Sequence, residues 1–319
     1  MKNNLIVYVS SRNNYDMLEG EVLKIPFEGF EFVNVDDGSS PEEVAKGREI
    51  CKKHGVKFLQ NKSRGVQMAT QTLIDWINEN RPECKWIICS QHDVIPLTEN
   101  FYSILSEKID AGLLKEFGAV GFNVLDRGKY TFDFYNKYKS GQSPLGMIGL
   151  SHLGIAEPSR RWISPRHNDI AVRTPEKWNK PFSIEFPAWM KIGINVDIWN
   201  KHIIPTDEYQ FHLWFPDIAM QLNYKNKPLV VLPYLYCLNQ QEVKEKYGIR
   251  ANSAHGAKAG NSYHFGEYSN MNAWKERWGW DYENARNTFN QVEENYKGTL
   301  LYEYYAHDIT TGPLKTFDI

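Results

Sequence analysis

The sequence predicts an α/β fold in which a mixed, mostly parallel sheet is flanked by helices. Three observations carry that prediction. From the N-terminus onward, short apolar runs alternate with helical patterns, the order that generates right-handed βαβ crossovers. The run Trp86-Ile87-Ile88-Cys89 is continuously apolar, as in a strand covered on both faces. Several of the runs end abruptly at acidic or amide residues, which places polar side chains at the carboxyl edge where open α/β sheets bind ligands.

Leu5 to Val9 is the first strand, ending in the polar loop Ser10-Ser11-Arg12-Asn13-Asn14. Phe30 to Val35 is the second and runs into Asp36-Asp37-Gly38-Ser39-Ser40. Ser40 followed by Pro41 and two glutamates is a helix start, so 41–54 is a helix closed by Gly55. Val56 to Gln60 is a short third strand. After Asn61-Lys62-Ser63-Arg64-Gly65, the residues Met68, Leu73, Trp76 and Ile77 give a helix its apolar face up to Arg81-Pro82. Then comes the stretch from Trp86 to Pro96, a strand delivering Gln91, His92 and Asp93 to the edge.

Further on, 100–116 is helical and 118–124 a strand, while 126–182 is an irregular segment rich in Gly, Pro and aromatic residues. Ser183 to Trp199 is a strand with a short turn. Trp214-Phe215-Pro216-Asp217 opens a helix to about Lys225, and Leu229 to Leu238 is a strongly apolar strand. The remainder is polar and loop-rich. This divides the chain into a core domain over 1–240, interrupted by 126–182, and an extension over 241–319.

Composition narrows the function. The 37 basic and 39 acidic residues leave a net charge of -2, so no global field attracts nucleic acid or membrane. Locally, 160–180 holds six basic against two acidic residues with Trp162 and Trp178 interleaved, either a solvated loop or a surface for an anionic acceptor. The four cysteines lack paired metal spacing and read as buried, reduced thiols of a cytoplasmic protein. The N-terminal apolar run is too short for a signal segment or a transmembrane span.

The edge of the predicted sheet collects Arg12, Asp36, Asp37, Arg64 and Asp93 around one crevice. A carboxylate there, beside an imidazole and an amide, suits a hard divalent cation that itself holds phosphate oxygens. The plainer alternatives are that Asp93 ends a strand and that Asp217 caps a helix.

Taken in order, Val35-Asp36-Asp37-Gly38-Ser39-Ser40, Asn61 to Gly65, Gln91-His92-Asp93-Val94 and Phe215-Pro216-Asp217, with the strand after it, resemble the family 2 type of glycosyltransferase with the GT-A fold. The likeness covers roughly 4–124 and 183–280. It implies a nucleotide-sugar donor, with a UDP-sugar first, and Mn²⁺ or Mg²⁺ as cofactor. It also implies an inverting transfer to an acceptor hydroxyl on a glycan, a lipid-linked glycan or a modified nucleic-acid base.

Residue by residue, the resemblance gives Asp36 the nucleotide base, with Asp37 beside it. Asp93 and His264 take the metal, with His255 competing for the second place, and Asp217 is the general base. Ser10, Arg12, Arg64, Gln91 and His92 fall on the donor side; Trp189, Arg160, Arg161 and Arg166 fall on the acceptor side. The extension over 241–319 would pack over the active site. Gln91 stands where the family has the first DxD acid, and Pro216 where an acid precedes the base. These departures keep a second class open, a carbohydrate- or nucleotide-binding module without turnover. A nucleotidyltransferase would need a glycine-rich phosphate loop, which is not visible between Leu5 and Leu18.

Overall fold

The computed structural model describes residues 2–125, 149–150, 162–163, 180–183, 186–187, 191–209, 213–240, 243, 246–247, 271–278 and 317–319. Its N-terminal part is the predicted crossover unit. Strands β1 (Lys2–Ser11), β2 (Phe30–Asp36), β3 (Lys57–Gln60) and β4 (Trp86–Ser90) lie in the order β3-β2-β1-β4, all parallel. Helices α1 (Tyr15–Gly20), α2 (Pro41–Lys53) and α3 (Val66–Asn80) connect them. The start of α2 is set by Pro41 in the first turn and by Ser40, whose side chain accepts from the Glu43 amide at 3.3 Å.

Beyond β4 the sheet changes direction. β4 ends, as expected, at the turn 91–93, and β5 (Val94–Pro96) goes to the far edge of the sheet. After α4 (Phe101–Asp110) and β6 (Ala119–Leu125), the strand β11 (Lys191–Asn195) inserts between β4 and β6, antiparallel to both. β12 (Leu229–Asn239) runs parallel to β6 and antiparallel to β5. The sheet is therefore parallel in its first half and mixed in its second, less parallel than the sequence suggests.

Short strands β7 (Gly149–Leu150), β8 (Trp162–Ile163) and β10 (Phe186–Pro187) make a small separate sheet, and β9 (Phe182–Ser183) joins β12. The predicted turn near 199 is a helix, α5 (Val196–His202), because Asn195 caps it by accepting from the Ile198 amide at 3.1 Å. Helix α6 (Trp214–Tyr224) falls where expected. In the loop-rich tail, Met271–Trp278 forms a helix, α7.

Side-chain alternation along the strands feeds two cores. Ile6, Tyr8, Ile87 and Cys89 face α3 and α6, whereas Leu5, Val7, Val9, Trp86 and Ile88 face α2 and α4. All four cysteines are buried and free. No helix of the described residues is long and apolar enough to cross a membrane.

One close approach in the second core bears on the site. A Cβ on Gly47 of α2 would lie 2.4 Å from the ring of Tyr15, whose hydroxyl donates to Asp36 at 2.6 Å. Alanine at 47 would favour the helix by about 1 kcal/mol, but overpacking against a buried ring costs about 1–3 kcal/mol. Gly47→Ala is expected to lower stability in urea denaturation. An unchanged or raised midpoint would show that Tyr15 can give way.

Candidate active site

The carboxyl ends of β1, β2, β3 and β4 form one edge, and Ser11 at the end of β1 ties its neighbours together. Its carbonyl accepts from the Asp37 amide at 2.8 Å on the β2 side, and its hydroxyl meets Nε2 of His92 at 2.9 Å on the β4 side. The direction of that network can be read. Asn14 uses Oδ1 to accept from the Arg12 amide, so its Nδ2 faces Nδ1 of His92 at 3.2 Å and donates. His92 therefore carries its proton on Nε2 and donates to Ser11, which donates in turn to Oδ1 of Asn34. Both ring nitrogens of His92 are engaged by the protein, which makes it a brace across the edge.

The two acids after β2 are not equivalent. Asp36 is fully buried; Oδ2 accepts from Tyr15, and Oδ1 from the amides of Gly38 and Ser39 at 3.2 and 3.3 Å. It holds the turn shut, helped by Gly38 at φ +79°. Asp37 accepts at Oδ1 from Asn61 at 2.9 Å and from the Gly65 amide at 2.8 Å. Among the described residues, no hydrogen bond to its Oδ2 is present. Burial pushes the Asp37 carboxyl up to about 6, against the opposing pull of Asn61, Gly65 and the nearby charge of Arg12.

Gly65, at φ +107°, opens α3 without a side-chain cap, so that helix presents its N-terminal amides to the same edge. The exposed Arg64 lies across Gly38, with Cγ 3.4 Å from where a Cβ would stand there. Arg12 is half-buried, and its Nε has no hydrogen-bond partner among the described residues. Ser10 and Gln91 are half-buried at the ends of β1 and β4.

Asp93, 2% exposed, sits in the turn after β4, and its carbonyl accepts from the Gln240 amide at 2.6 Å. The described residues contain no group of three or more His, Cys, Asp or Glu that could hold a metal ion. The donor set is one carboxylate, with no imidazole nitrogen spare on His92. That chemistry fits a hard cation that takes most of its ligands from phosphate and water, and it does not fit one held by the protein alone.

Asp217, in the first turn of α6, is the most tightly held acid of the described residues. It is 0% exposed. Gln67 and Gln221 donate to Oδ2 at 3.0 and 2.9 Å, Trp278 donates to Oδ1 at 2.9 Å, and the Arg277 guanidinium lies 3.3 Å from Oδ1. Burial raises its pKa, with the Arg277 charge the largest opposing influence. All four partners are donors, so the pocket is built for a carboxylate. Two of them come from α7, which covers the acid, while Gln67 lies two residues beyond Gly65 and links this acid to the Asp37 edge.

His264, the competing His255, Trp189, Arg160, Arg161 and Arg166 lie outside the described residues, as does most of 126–182. Within the described residues, the edge brings together Ser10, Arg12, Asp36, Asp37, Arg64, Gln91, His92 and Asp93. The sequence reading does not single out Tyr15, Gln67, Gln221, Arg277 or Lys191. Long-range contacts place Tyr15, Gln67, Arg277 and Lys191, while Gln221 stands one turn after Asp217 in α6.

No protein-family model matches the sequence, and no curated protein matches it. Among solved structures, the chain is similar to GalNAc-T7 crystallised with UDP, GalNAc and Mn²⁺, at 14% identity and a TM-score of 0.54, covering 96% of this chain and 53% of that one. The chain thus spans about half the length of that structure. It also matches, at a TM-score of 0.39 and 9% identity, glucosyl-3-phosphoglycerate synthase from Mycobacterium tuberculosis in complex with Mn²⁺, UDP and glucosyl-3-phosphoglycerate, over 74% of this chain and 69% of that one. A match to S. aureus TarS has a TM-score of 0.40 at 12% identity, over 77% of this chain and 38% of that one. The fold assignment rests on the first of these, and the family 2 likeness on the motifs alone. A parallel β3-β2-β1-β4 unit with Asp37 and Asp93 at its carboxyl edge, continued into a mixed sheet by β11, β6 and β12, gives this chain the GT-A glycosyltransferase fold.

Proposed function

We propose that the chain transfers a sugar from a nucleotide-sugar donor, a UDP-sugar in the first instance, to an acceptor hydroxyl with inversion. The observation that carries this is the pair of carboxyls, Asp37 and Asp93, standing on either side of the end of β1, where Ser11 accepts from the Asp37 amide and meets the ring of His92, the residue before Asp93. Such an edge is suited to a nucleoside on one side and a diphosphate on the other. In this reading Asp37, with an oxygen to spare, takes the ring N–H of the base, while Asp36 shapes the turn. Arg12, Arg64 and the N-terminal amides of α3 supply positive potential, with Ser10 and Gln91 lining the donor side.

Asp93 would hold Mn²⁺ or Mg²⁺, with His264 the second candidate. When bound, the cation supplies neutralisation of the charge that builds on the leaving diphosphate. Asp217 is the proposed base. Arg277 and Trp278 cover it in this conformation, so accepting a proton from an acceptor requires both to withdraw. Trp189, Arg160, Arg161 and Arg166 are proposed for an acceptor that is anionic. The four free thiols are in keeping with a reducing, cytoplasmic setting.

A screen of nucleotide sugars for donor hydrolysis, with Mn²⁺ or Mg²⁺ and with chelator, tests the reading. Metal-dependent cleavage of one donor is expected. If no donor is cleaved and none raises the melting temperature, sugar-nucleotide chemistry is excluded; stabilisation without cleavage would favour a binding module.

Asp37 adds a pH signature. A carboxylate that accepts from the base must be ionised, so UDP affinity is expected to fall about tenfold per pH unit below about 6. Stability runs the other way. The folded pKa is above the unfolded value of 3.8, so the protonated group stabilises the fold below that value, and this contribution is lost as pH rises through about 6. Asp37→Asn should bind UDP about 10- to 100-fold more weakly at pH 7, the worth of a hydrogen bond to a charged group. Its remaining binding should no longer follow this titration. Calorimetric titrations from pH 5 to 8 check both, and a flat wild-type profile would remove Asp37 from base recognition.

A further inference from the structure

We propose that Lys191 is a positioning residue for the turn that presents Asp93, acting through Ser90 from inside the core. The inference rests on the proposed role of Asp93 on the diphosphate side, and it adds a residue that no motif marks.

Lys191 opens β11 and pairs with Ser90, the last residue of β4. Its neighbours Ile192 and Ile194 enter one core, so alternation turns the lysine into the other, where it is 0% exposed. The ammonium lies 5.9 Å from the ring centroid of Phe101 and 5.5 Å from that of Tyr102, and it donates to Oγ of Ser90 at 2.8 Å. Among the described residues no carboxylate forms an ion pair with it. The titratable groups around it are the thiols of Cys89 and Cys237 and the phenol of Tyr102. Burial lowers its pKa to about 8, which leaves it mostly charged at neutral pH.

A buried ammonium without an anion is costly, and a methionine of similar length would make the more stable core. What the lysine provides is at the turn. Its N–H occupies a lone pair of the Ser90 hydroxyl, which leaves the O–H directed forward, 3.3 Å from the Gln91 carbonyl and 3.4 Å from that of Val94. These are the two ends of the turn that the Val94 amide closes onto Gln91 at 3.3 Å. Asp93 stands between them. Lys191 thus sets the orientation of the hydroxyl that grips both ends, and it brings positive charge behind the sheet edge.

The test compares Lys191→Met, Ser90→Ala and the double variant with the wild-type chain by hydrogen exchange, urea denaturation and calorimetric binding of UDP with Mn²⁺. Lys191→Met is expected to be as stable as wild type or more so. Its amides over 91–94 should exchange at least about tenfold faster, while β2 is unchanged and UDP affinity falls at least about tenfold. Ser90→Ala should reproduce the faster exchange, and the double variant should add nothing, as for two residues acting in series. Wild-type exchange over 91–94 in Lys191→Met would overturn the proposal, as would independent, additive effects of the two substitutions. If exchange changes as expected but the wild-type chain does not bind UDP with Mn²⁺, the positioning role stands and the sugar-transfer reading fails.

Discussion

An Asp217→Asn variant is expected to transfer sugar about 10²- to 10⁴-fold more slowly than wild type, the usual worth of a general base. Its affinity for UDP should stay within about twofold, because Asp217 lies on α6 and not at the Asp37 edge. The substitution also has a structural cost that can be stated in advance. Gln67 and Gln221 donate to one oxygen, Trp278 donates to the other with the Arg277 charge 3.3 Å from it, and an asparagine would place an NH₂ against one of these sides. An unmatched buried donor costs about 1–3 kcal/mol. Transfer kinetics, UDP titration and urea denaturation on one preparation separate the two effects. A loss of rate that merely tracks the unfolded fraction, or a parallel loss of UDP affinity, would make Asp217 an organiser of the α3, α6 and α7 junction and not a base. A Trp278→Phe variant sharpens the test, since it removes one donor and keeps the ring; with Asp217 as base it should retain turnover.

Asp93→Asn should have an effect at least as large and of a different kind. Removing the carboxylate proposed to hold a diphosphate-bound cation should remove several kcal/mol of charge stabilisation from the leaving group, about 10³-fold or more in rate. The gain in UDP affinity brought by Mn²⁺ should disappear with it, and chelator should have no further effect on the variant. Turnover that stays chelator-sensitive in Asp93→Asn would place the cation elsewhere.

Much of the parallel half of the sheet and its edge was legible in the sequence because its signals are local. Ser40-Pro41 marks α2, the apolar run before Ser90 marks β4, and Asp36 to Gly38 ends β2 in a turn that only a few residue types can make. What local patterning cannot supply is which of two adjacent acids keeps a free oxygen. That is decided by Tyr15, admitted to Asp36 by the missing side chain of Gly47. The sheet direction beyond β4 was equally hidden, since an apolar strand such as β11 reads the same whether it pairs parallel or antiparallel. The helix at 271–278 was masked by its polar residues. Its fit depends on Trp274 being wholly buried and Trp278 reaching Asp217, both contacts with residues more than fifty positions away.

The placement of β11 has a consequence for how the molecule comes into being. The parallel unit β3-β2-β1-β4 uses residues 2–90 and only short crossovers, so its loop-closure entropy is small. The strand that fills the gap between β4 and β6 arrives a hundred residues later, pairing Ile88 with Gly193. Contacts of that separation form slowly. On a ribosome, the parallel half can close before β11 has been made, while the β4 flank waits as an open edge with Ser90 and its turn unsupported. Lys191 leads β11 to that flank, so the residue that seals the two halves of the sheet is the same one that sets the Asp93 turn.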